Sequence, residues 1–600
     1  MALPSIQRVI DAAVVAFRRF PLVVASGVLT AVAGIGFAEG GDEDTWVRIG
    51  AATSLGMPLF TALTLAARRR GMTPTGTWAL RAAGGALLFA WFIVWPGWSD
   101  ELRAVRYFHL SAGLHFLVAV VAYVGRREEN GFWQFNRELF IRFLTAAVYS
   151  TVLFAGLAIA LAGVDNLLGV DVDGSAYGDL FMVIAFAFNT WFFAAGIPLD
   201  FDELERDRHY PPGLRAFSQY VLLPLVTVYL VILSAYLVRV LVTREWPSGW
   251  IGYLVSALAT LGILSLLLVH PLRDRGGHAW IDRYARWFWI AILPSVAMLL
   301  MAIWQRIHQY GVTERRYLLA VLAVWLAGTA VFYAVTRSRD IRIIPASLMA
   351  IAFVTLVGPW SAYAVSLGSQ LGRLTGLLER NGAFADGRVS PAVADVPEED
   401  RREITGALTY VIRFHGTGSI DGWFPGGVAA IDTIGDGTRP SPRYIALERA
   451  TLLMRHMGME PVSDRLAAAS PFRSYSTEYP RPAFDVAGFE WAFLGVSLGG
   501  ETHAAGEDRI RVSIDGGSDL VLLVNDEEVL RGPLGPFLDG LEGHISSPEI
   551  RTVPGDLLRL DAEGDGYAIR IYFRTLTEDR REGSPRVSSA MGDVFLRRVP

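Results

Sequence analysis

Cysteine is absent from the 600-residue sequence, and every basic residue is arginine. The first absence excludes disulfides and thiolate metal sites, and leaves cysteine usage silent about redox compartment. Without lysine, a Gly-rich, Lys-containing phosphate loop cannot be completed, so ATP-driven transport by this chain alone is unsupported. The all-arginine usage reads as a compositional bias. Charge is scarce as well: 19% of residues are charged and 52% hydrophobic, with mean hydropathy +0.35, against about 25% charged in ordinary soluble chains. The charge is also unevenly placed, with long stretches before Val365 carrying none and the region after Gln370 dense in Asp, Glu and Arg. A net charge of -5 gives no basic footprint for nucleic acid. The 10 histidines are scattered, with no pair four apart flanking a glutamate, so a zinc hydrolase is unsupported.

Apolar runs dominate what is present. A membrane span needs about 20 mostly apolar residues, and eleven windows qualify: Pro21 to Ala38, Val47 to Ala67, Ala82 to Trp98, Tyr107 to Val124, Leu139 to Val164, Asp179 to Ile197, Phe217 to Val242, Trp250 to His270, Trp287 to Trp304, Tyr317 to Thr336 and Ile344 to Val365. Residues 1–20 carry Leu3, Ile6, Ile10, Ala13 and Phe17 at helical spacing, with no cleavage signature, and predict an interfacial helix running into the first span. The organisation predicted is a helical membrane domain over 1–365, a stalk helix and linker over 366–396, and a soluble domain over 397–600.

Arginines cluster in alternate connections: Arg68 to Arg70; Arg126, Arg127 and Arg137; Arg206, Arg208 and Arg215; Arg273, Arg275 and Arg283; Arg337, Arg339 and Arg342. By the bias of Arg toward cytoplasmic loops, that side and the N-terminus are cytoplasmic, and an odd number of spans puts the C-terminal domain outside. Arg103, Arg106, Arg306, Arg315 and Arg316 run against the bias. Within the spans, His115 and Asn189 are the polar candidates near the centre; interhelical hydrogen bonding is the simplest role for them. Gly156 and Ala160 suit close helix packing, and Asp200 to Asp207 reads as a solvated loop.

In the C-terminal part, Leu367, Leu371, Leu374 and Leu378 form a helical stripe, followed by a Gly, Pro and Asp-rich linker from Asn381 to Val396. Helices are predicted to start at Pro397, with acidic residues matching the helix dipole, and over Pro442 to Met457. From Phe484 the period becomes 2, as in Ile510, Val512 and Ile514, with turns at Gly516-Gly517 and Gly564-Asp565-Gly566. The fold class is therefore a polytopic α-helical membrane protein with a soluble α+β domain containing a mainly antiparallel sheet. Gly495-Val496-Ser497-Leu498-Gly499 has the letters of a nucleophile elbow but no helix after it, and reads as a strand-end turn. Asp561-Ala-Glu563-Gly-Asp565-Gly566 starts like a calcium loop but has Tyr572 at its twelfth position, and Asp171-Val-Asp173-Gly174 also lacks the acidic twelfth ligand. No catalytic, cofactor or metal residues are assigned.

Several segments carry a resemblance: Arg19-Phe20-Pro21, Phe135-Asn136-Arg137, Leu223-Pro224-Leu225 with Tyr229 and Ile232-Leu233, Glu245-Trp246-Pro247, Gln309 through Tyr317, Gly358-Pro359-Trp360-Ser361-Ala362, Gln370 to Leu378, Arg401-Arg402-Glu403-Ile404 and His415-Gly416. On these the chain resembles the bacterial membrane proteins of the domain of unknown function family 4153. The resemblance implies a multi-pass protein of the inner membrane and supplies no catalytic residues. Three functions stay open: an envelope binding or sensing protein with an extracytoplasmic domain, a transporter or lipid-handling channel, and a transferase acting on a lipid-linked substrate. The transferase would use an outer-face polar cluster of Arg306, Tyr310, Thr313, Glu314, Arg315, Trp360 and Gln370. The outer loop from Gln305 to Tyr317 is predicted either to be docked, with Glu314 as partner for its arginines, or to pair its arginines with lipid phosphates. Candidate partners are membrane lipids, together with an envelope protein or a lipid-linked ligand.

Overall fold

The computed structural model describes residues 14–243, 251–273, 279–392, 395–424, 427–428, 442–462, 472–477, 486–506, 508–542, 550–553, 555–579 and 586–599. Residues 1–13 of the expected interfacial helix, and Glu245-Trp246-Pro247, lie outside the described residues. Contacts divide the chain into two compact units: Met1–Arg373 with Arg413–Ser419, and Leu374–Ile412 with Ile420–Pro600.

The helical unit contains α1 (Pro21–Ala38), α2 (Glu43–Arg69), α3 (Pro74–Val94), α4 (Asp100–Tyr123), α5 (Glu129–Leu168), α6 (Ser175–Ala195), the short α7 (Phe201–Arg206), α8 (Pro212–Thr243), α9 (Ile251–Leu272), α10 (Trp280–Tyr310), α11 (Glu314–Thr336) and α12 (Ile343–Leu356); α13 (Ala362–Arg380) begins in it. Ten of these, all but α7, α12 and α13, are long and apolar enough to cross a membrane. Small residues bring α1 against its neighbours. Thr30 and Thr53 share a 2.9 Å hydrogen bond between α1 and α2. A Cβ on Gly27 would lie 2.7 Å from the Phe186 carbonyl of α6, the close approach typical of membrane helix contacts. Farther along, Phe288 packs into the space left by Gly262, where a Cβ would lie 2.1 Å from its ring.

Three readings are corrected. The eleventh expected span, Ile344 to Val365, is a 14-residue helix ending at Leu356, broken before Gly358-Pro359. Its rise is roughly 21 Å, short of a hydrocarbon core of about 30 Å. Even so, the chain returns along α11. Tyr333 Oη donates to the Asp340 carbonyl, Trp325 Nε1 to Ser347 Oγ, and Tyr317 Oη to the Trp360 carbonyl. Residues 357–361 carry the chain on from α12 to the level of Tyr317. Gly156 and Ala160 do not pack helices: both are exposed on α5, and no atom lies within 4 Å of a Cβ built on Gly156. The acidic run is not a free loop either. Its α7 buries Phe201 and Leu204, and Asn130 Nδ2 and Gln134 Nε2 of α5 donate to carbonyls of Leu204, Glu205, Asp207 and His209.

In the second unit, the hairpin β1 (Phe384–Ala385) and β2 (Arg388–Val389) is followed by α14 (Glu398–His415) and α15 (Pro442–His456), joined by a Thr405 Oγ1 to Met454 Sδ contact of 2.9 Å. The strands are β3 (Phe472–Thr477), β4 (Trp491–Ser497), β5 (Gly499–Ala505), β6 (Asp508–Asp515), β7 (Asp519–Val524) and β8 (Glu527–Pro533), then α16 (Gly535–Glu542), then β9 (Ile550–Val553), β10 (Arg559–Gly564), β11 (Tyr567–Asp579) and β12 (Arg586–Arg598). One sheet has the order β4-β12-β11-β3-β9 with β10 also paired to β11, and the other is the meander β5-β6-β7-β8. All pairings are antiparallel except β3 with β9. Ser497 ends β4 one residue before β5, so the elbow-like letters form a turn between strands. Ile510, Val512, Leu520, Leu522, Ile569 and Ile571 are buried in a common core, as period-2 alternation requires.

Candidate functional site

The connection between α10 and α11 is held by the start of α13. Gln370 Nε2 donates to the carbonyls of Tyr310 and Val312 at 3.0 and 2.9 Å, and Ser369 Oγ accepts from Val312 N at 2.9 Å. Arg316 reaches back to the carbonyls of Tyr310 and Gly311. Gly311 makes this possible. Its φ of 71° and ψ of 177° are open essentially only to glycine, and a Cβ there would lie 2.7 Å from Gln370 Nε2.

Next to this connection is a buried polar cluster. Glu314 opens α11 with 1% of its side chain exposed, and its carboxylate lies 3.0 Å from Nε2 of His415, itself 6% exposed. His415 arrives on the segment 413–419, which belongs to the helical unit. That segment is fixed twice more, by Arg413 to Glu101 at 2.6 Å and by Ser99 Oγ donating to the Phe414 carbonyl at 2.6 Å. Arg106 of α4 stacks its guanidinium on Tyr363 at 3.9 Å and Trp98 at 4.4 Å, and the charge of Glu314 acts on it. Burial pushes the Tyr363 phenol above its ordinary range, which keeps it a neutral hydrogen-bonding group. Its hydroxyl lies 3.1 Å from His109 Nδ1, and His109 Nε2 is 3.2 Å from Thr355 Oγ1.

His109 and Thr355 also line a cavity of about 820 Å³ between α4, α9, α11 and α12. Apart from Arg315, His109, Thr355, Ser256 and Thr260, its wall is nearly all apolar, including Phe108, Phe116, Ile263, Leu318, Leu322, Leu326, Leu348 and Ile351. On α11 the lining runs from Arg315 to Leu326, a rise of roughly 16 Å. That is about half the hydrocarbon thickness, the depth of one leaflet. Arg315 marks the polar end. On the other face of α4, a second cavity of about 990 Å³ shares Ala104 and Phe108 with the first.

The expected cluster is thus divided. Glu314 and Gln370 are buried; Arg306, Tyr310, Arg315 and Trp360 are exposed. Arg306 lies in the last turns of α10, where a loop was expected. Thr313 precedes α11 with no side-chain cap, and Trp360 Nε1 donates to the Val354 carbonyl at 3.0 Å. Glu314 is turned to His415, while Arg315 faces the cavity. His115 is exposed, its Nδ1 2.7 Å from the carbonyl of Ser111. Asn189 donates to Ser150 Oγ at 3.0 Å, just after a π-helical stretch over Val183–Phe188. Arg106, Tyr363 and His415 were not picked as a site. The available signal was that Arg106, like the 306–316 arginines, opposes the orientation bias. Among the described residues no group of His, Asp or Glu could hold a metal ion.

No solved structure matches the chain. An uncharacterized protein of Pasteurella multocida is 28% identical over 163 residues, which are 26% of this chain and 27% of that protein, so the match spans about a quarter of each. A family model described as a domain of unknown function, DUF4153, matches residues 24–366. That is more than half of the chain and covers every helix that builds the cavity, and the protein, with its ten helices long and apolar enough to cross a membrane, belongs to this family.

Proposed function

We propose that this protein is a lipid-binding protein of the bacterial cytoplasmic membrane, with the N-terminus cytoplasmic and an extracytoplasmic C-terminal domain that reports or uses the bound lipid. The observation that carries the reading is the apolar cavity among α4, α9, α11 and α12. It is one leaflet deep, walled by aliphatic and aromatic side chains, and carries Arg315, His109 and Thr355 toward one end. Acyl or polyprenyl chains suit such a wall, because nothing along it would leave a polar group unsatisfied. An arginine at the mouth suits a phosphate or carboxylate headgroup. A second reading, movement of lipid between leaflets, is favoured by the neighbouring cavity across Phe108.

The test is purification of the full chain with native lipid, followed by mass spectrometry of what co-purifies. The parent is expected to carry a lipid in fixed ratio. Ala112→Trp and Leu322→Trp place bulk at the wall and are expected to remove it, while Arg315→Gln is expected to change which headgroups are retained. Lipid content unaltered in both tryptophan variants would sink the proposal.

A further inference from the structure

A second lipid-facing feature lies at the opposite, arginine-rich end of the helical unit, remote from Glu314 in the order of the helices. There a cavity of about 820 Å³ is lined by Arg19 before α1, Arg68 and Arg69 at the end of α2, and Arg137 and Arg142 on α5, together with the carboxylates of Glu138, Asp200, Asp202, Glu203 and Asp207. Two of the five arginines are already neutralised. Arg69 pairs with Glu128 and faces Asp202 at 3.8 Å, and Arg137 pairs with Glu138 at 2.6 Å and faces Asp207 at 3.9 Å. Asp200, also on the wall, caps α7 by accepting from Glu203 N at 2.9 Å. Arg19, Arg68 and Arg142 have no ion-pair partner among the described residues.

Their depth is informative. On α5 no charge occurs from Phe143 to Val164, a rise of roughly 33 Å, against a hydrocarbon core of about 30 Å. Arg142 therefore stands at the edge of the hydrocarbon, and Arg19 and Arg68 stand at the corresponding edges of the apolar runs of α1 and α2. Arg142 is seated, not loose: its side chain lies over Gly196, where a Cβ would come within 2.5 Å of Cδ. Within one turn of it, Phe140, Phe143 and Leu144 are 46%, 58% and 45% exposed, so α5 presents apolar side chains outward at this level.

We infer that Arg19, Arg68 and Arg142 form a binding site for the phosphodiester headgroup of an anionic phospholipid, whose acyl chains run from the cavity into the adjoining hydrocarbon. Three cations at the ends of three apolar runs share one cavity wall, and their depth at the edge of the hydrocarbon argues for a lipid over a free phosphate. This site is independent of the cavity at Arg315, and the two can fail separately.

The test uses the full chain, stripped of lipid and reconstituted in nanodiscs of phosphatidylcholine with or without phosphatidylglycerol. Retained lipid is read by native mass spectrometry and stability by thermal unfolding. The parent is expected to retain phosphatidylglycerol and to gain thermal stability from it. Each Arg→Gln change at 19, 68 or 142 is expected to weaken retention about fivefold, with partial rescue by Lys. Gly196→Val, which keeps every charge and displaces Arg142, is expected to behave like Arg142→Gln, while Arg127→Gln outside the cavity leaves retention unchanged. Equal retention by the parent and the triple variant would overturn the site. So would full stabilisation of the parent in detergent by inorganic phosphate, which would make the ligand soluble.

Discussion

At the scale of single residues, the sharpest contrast is between two glycines. Gly311 holds φ 71°, with Gln370 in the space a Cβ would take, whereas Gly328 sits on the exposed side of α11 with no atom within 4 Å of its Cβ position. Gly311→Ala is expected to destabilise the protein by roughly 1 to 3 kcal/mol and to release the Gln370 contacts. Gly328→Ala is expected to be neutral or stabilising by up to about 1 kcal/mol. Thermal unfolding in detergent distinguishes them, and equal melting temperatures would refute the backbone argument. Glu314 supplies a second comparison. Its carboxylate is buried 3.0 Å from His415, so removal of one partner leaves the other in a poor environment, at a cost of roughly 3 kcal/mol. A double-mutant cycle of Glu314→Gln with His415→Gln should give a coupling of roughly 1 to 3 kcal/mol. The cycle with Arg315→Gln should give close to zero, because Arg315 is exposed.

At the scale of elements, what the sequence made legible follows from the period of its apolar residues. α1 occupies Pro21–Ala38 as expected, because its run is uniformly apolar and ends at Glu39. The strand around Ile510 follows from the alternation of Ile510, Val512 and Ile514, and that around Ile569 from the apolar series Ile569, Ile571 and Phe573 after a Gly-rich turn. The failures share another cause, which is that they depend on partners distant in the chain. α5 extends to Glu129, past Arg137 and Glu138, because α7 covers its polar start through Asn130 and Gln134. α12 stops at Leu356 because Gly358-Pro359 breaks the helix, although the hydropathy continues. In the sequence the loop from Gln305 to Tyr317 stands out by its arginines running against the bias. Its actual anchors, Gln370 and Ser369, together with the pairing of Glu314 with a histidine 101 positions later, follow from folding alone.

At the scale of the whole molecule, the side on which the C-terminal domain lies depends on whether residues 343–361 complete a crossing. α12 alone is too short, and ten spanning helices without it would leave the C-terminus on the side of the N-terminus. The hydrogen bonds along α11 argue otherwise: Asp340 lies at the level of Tyr333, Ser347 at Trp325 and Trp360 at Tyr317, so the chain comes back to the end at which α11 began. Three of the five arginines that run against the bias are also accounted for locally, which weakens their force as orientation signals. Arg103 pairs with Asp44 and Asp100, Arg106 stacks on two aromatic rings, and Arg316 binds backbone carbonyls. At the opposite end Arg19, Arg68 and Arg142 line one cavity without an ion-pair partner among the described residues, and such arginines would fit a cytoplasmic face. Alkaline phosphatase fused after Pro600 is therefore expected to be active, and a fluorescent protein there dark. The same pair of reporters inserted after Arg339 should give the reverse. A dark phosphatase with a bright fluorescent fusion at Pro600 would mean that the chain does not cross at α12, and the C-terminal domain would then have to be assigned to the cytoplasm.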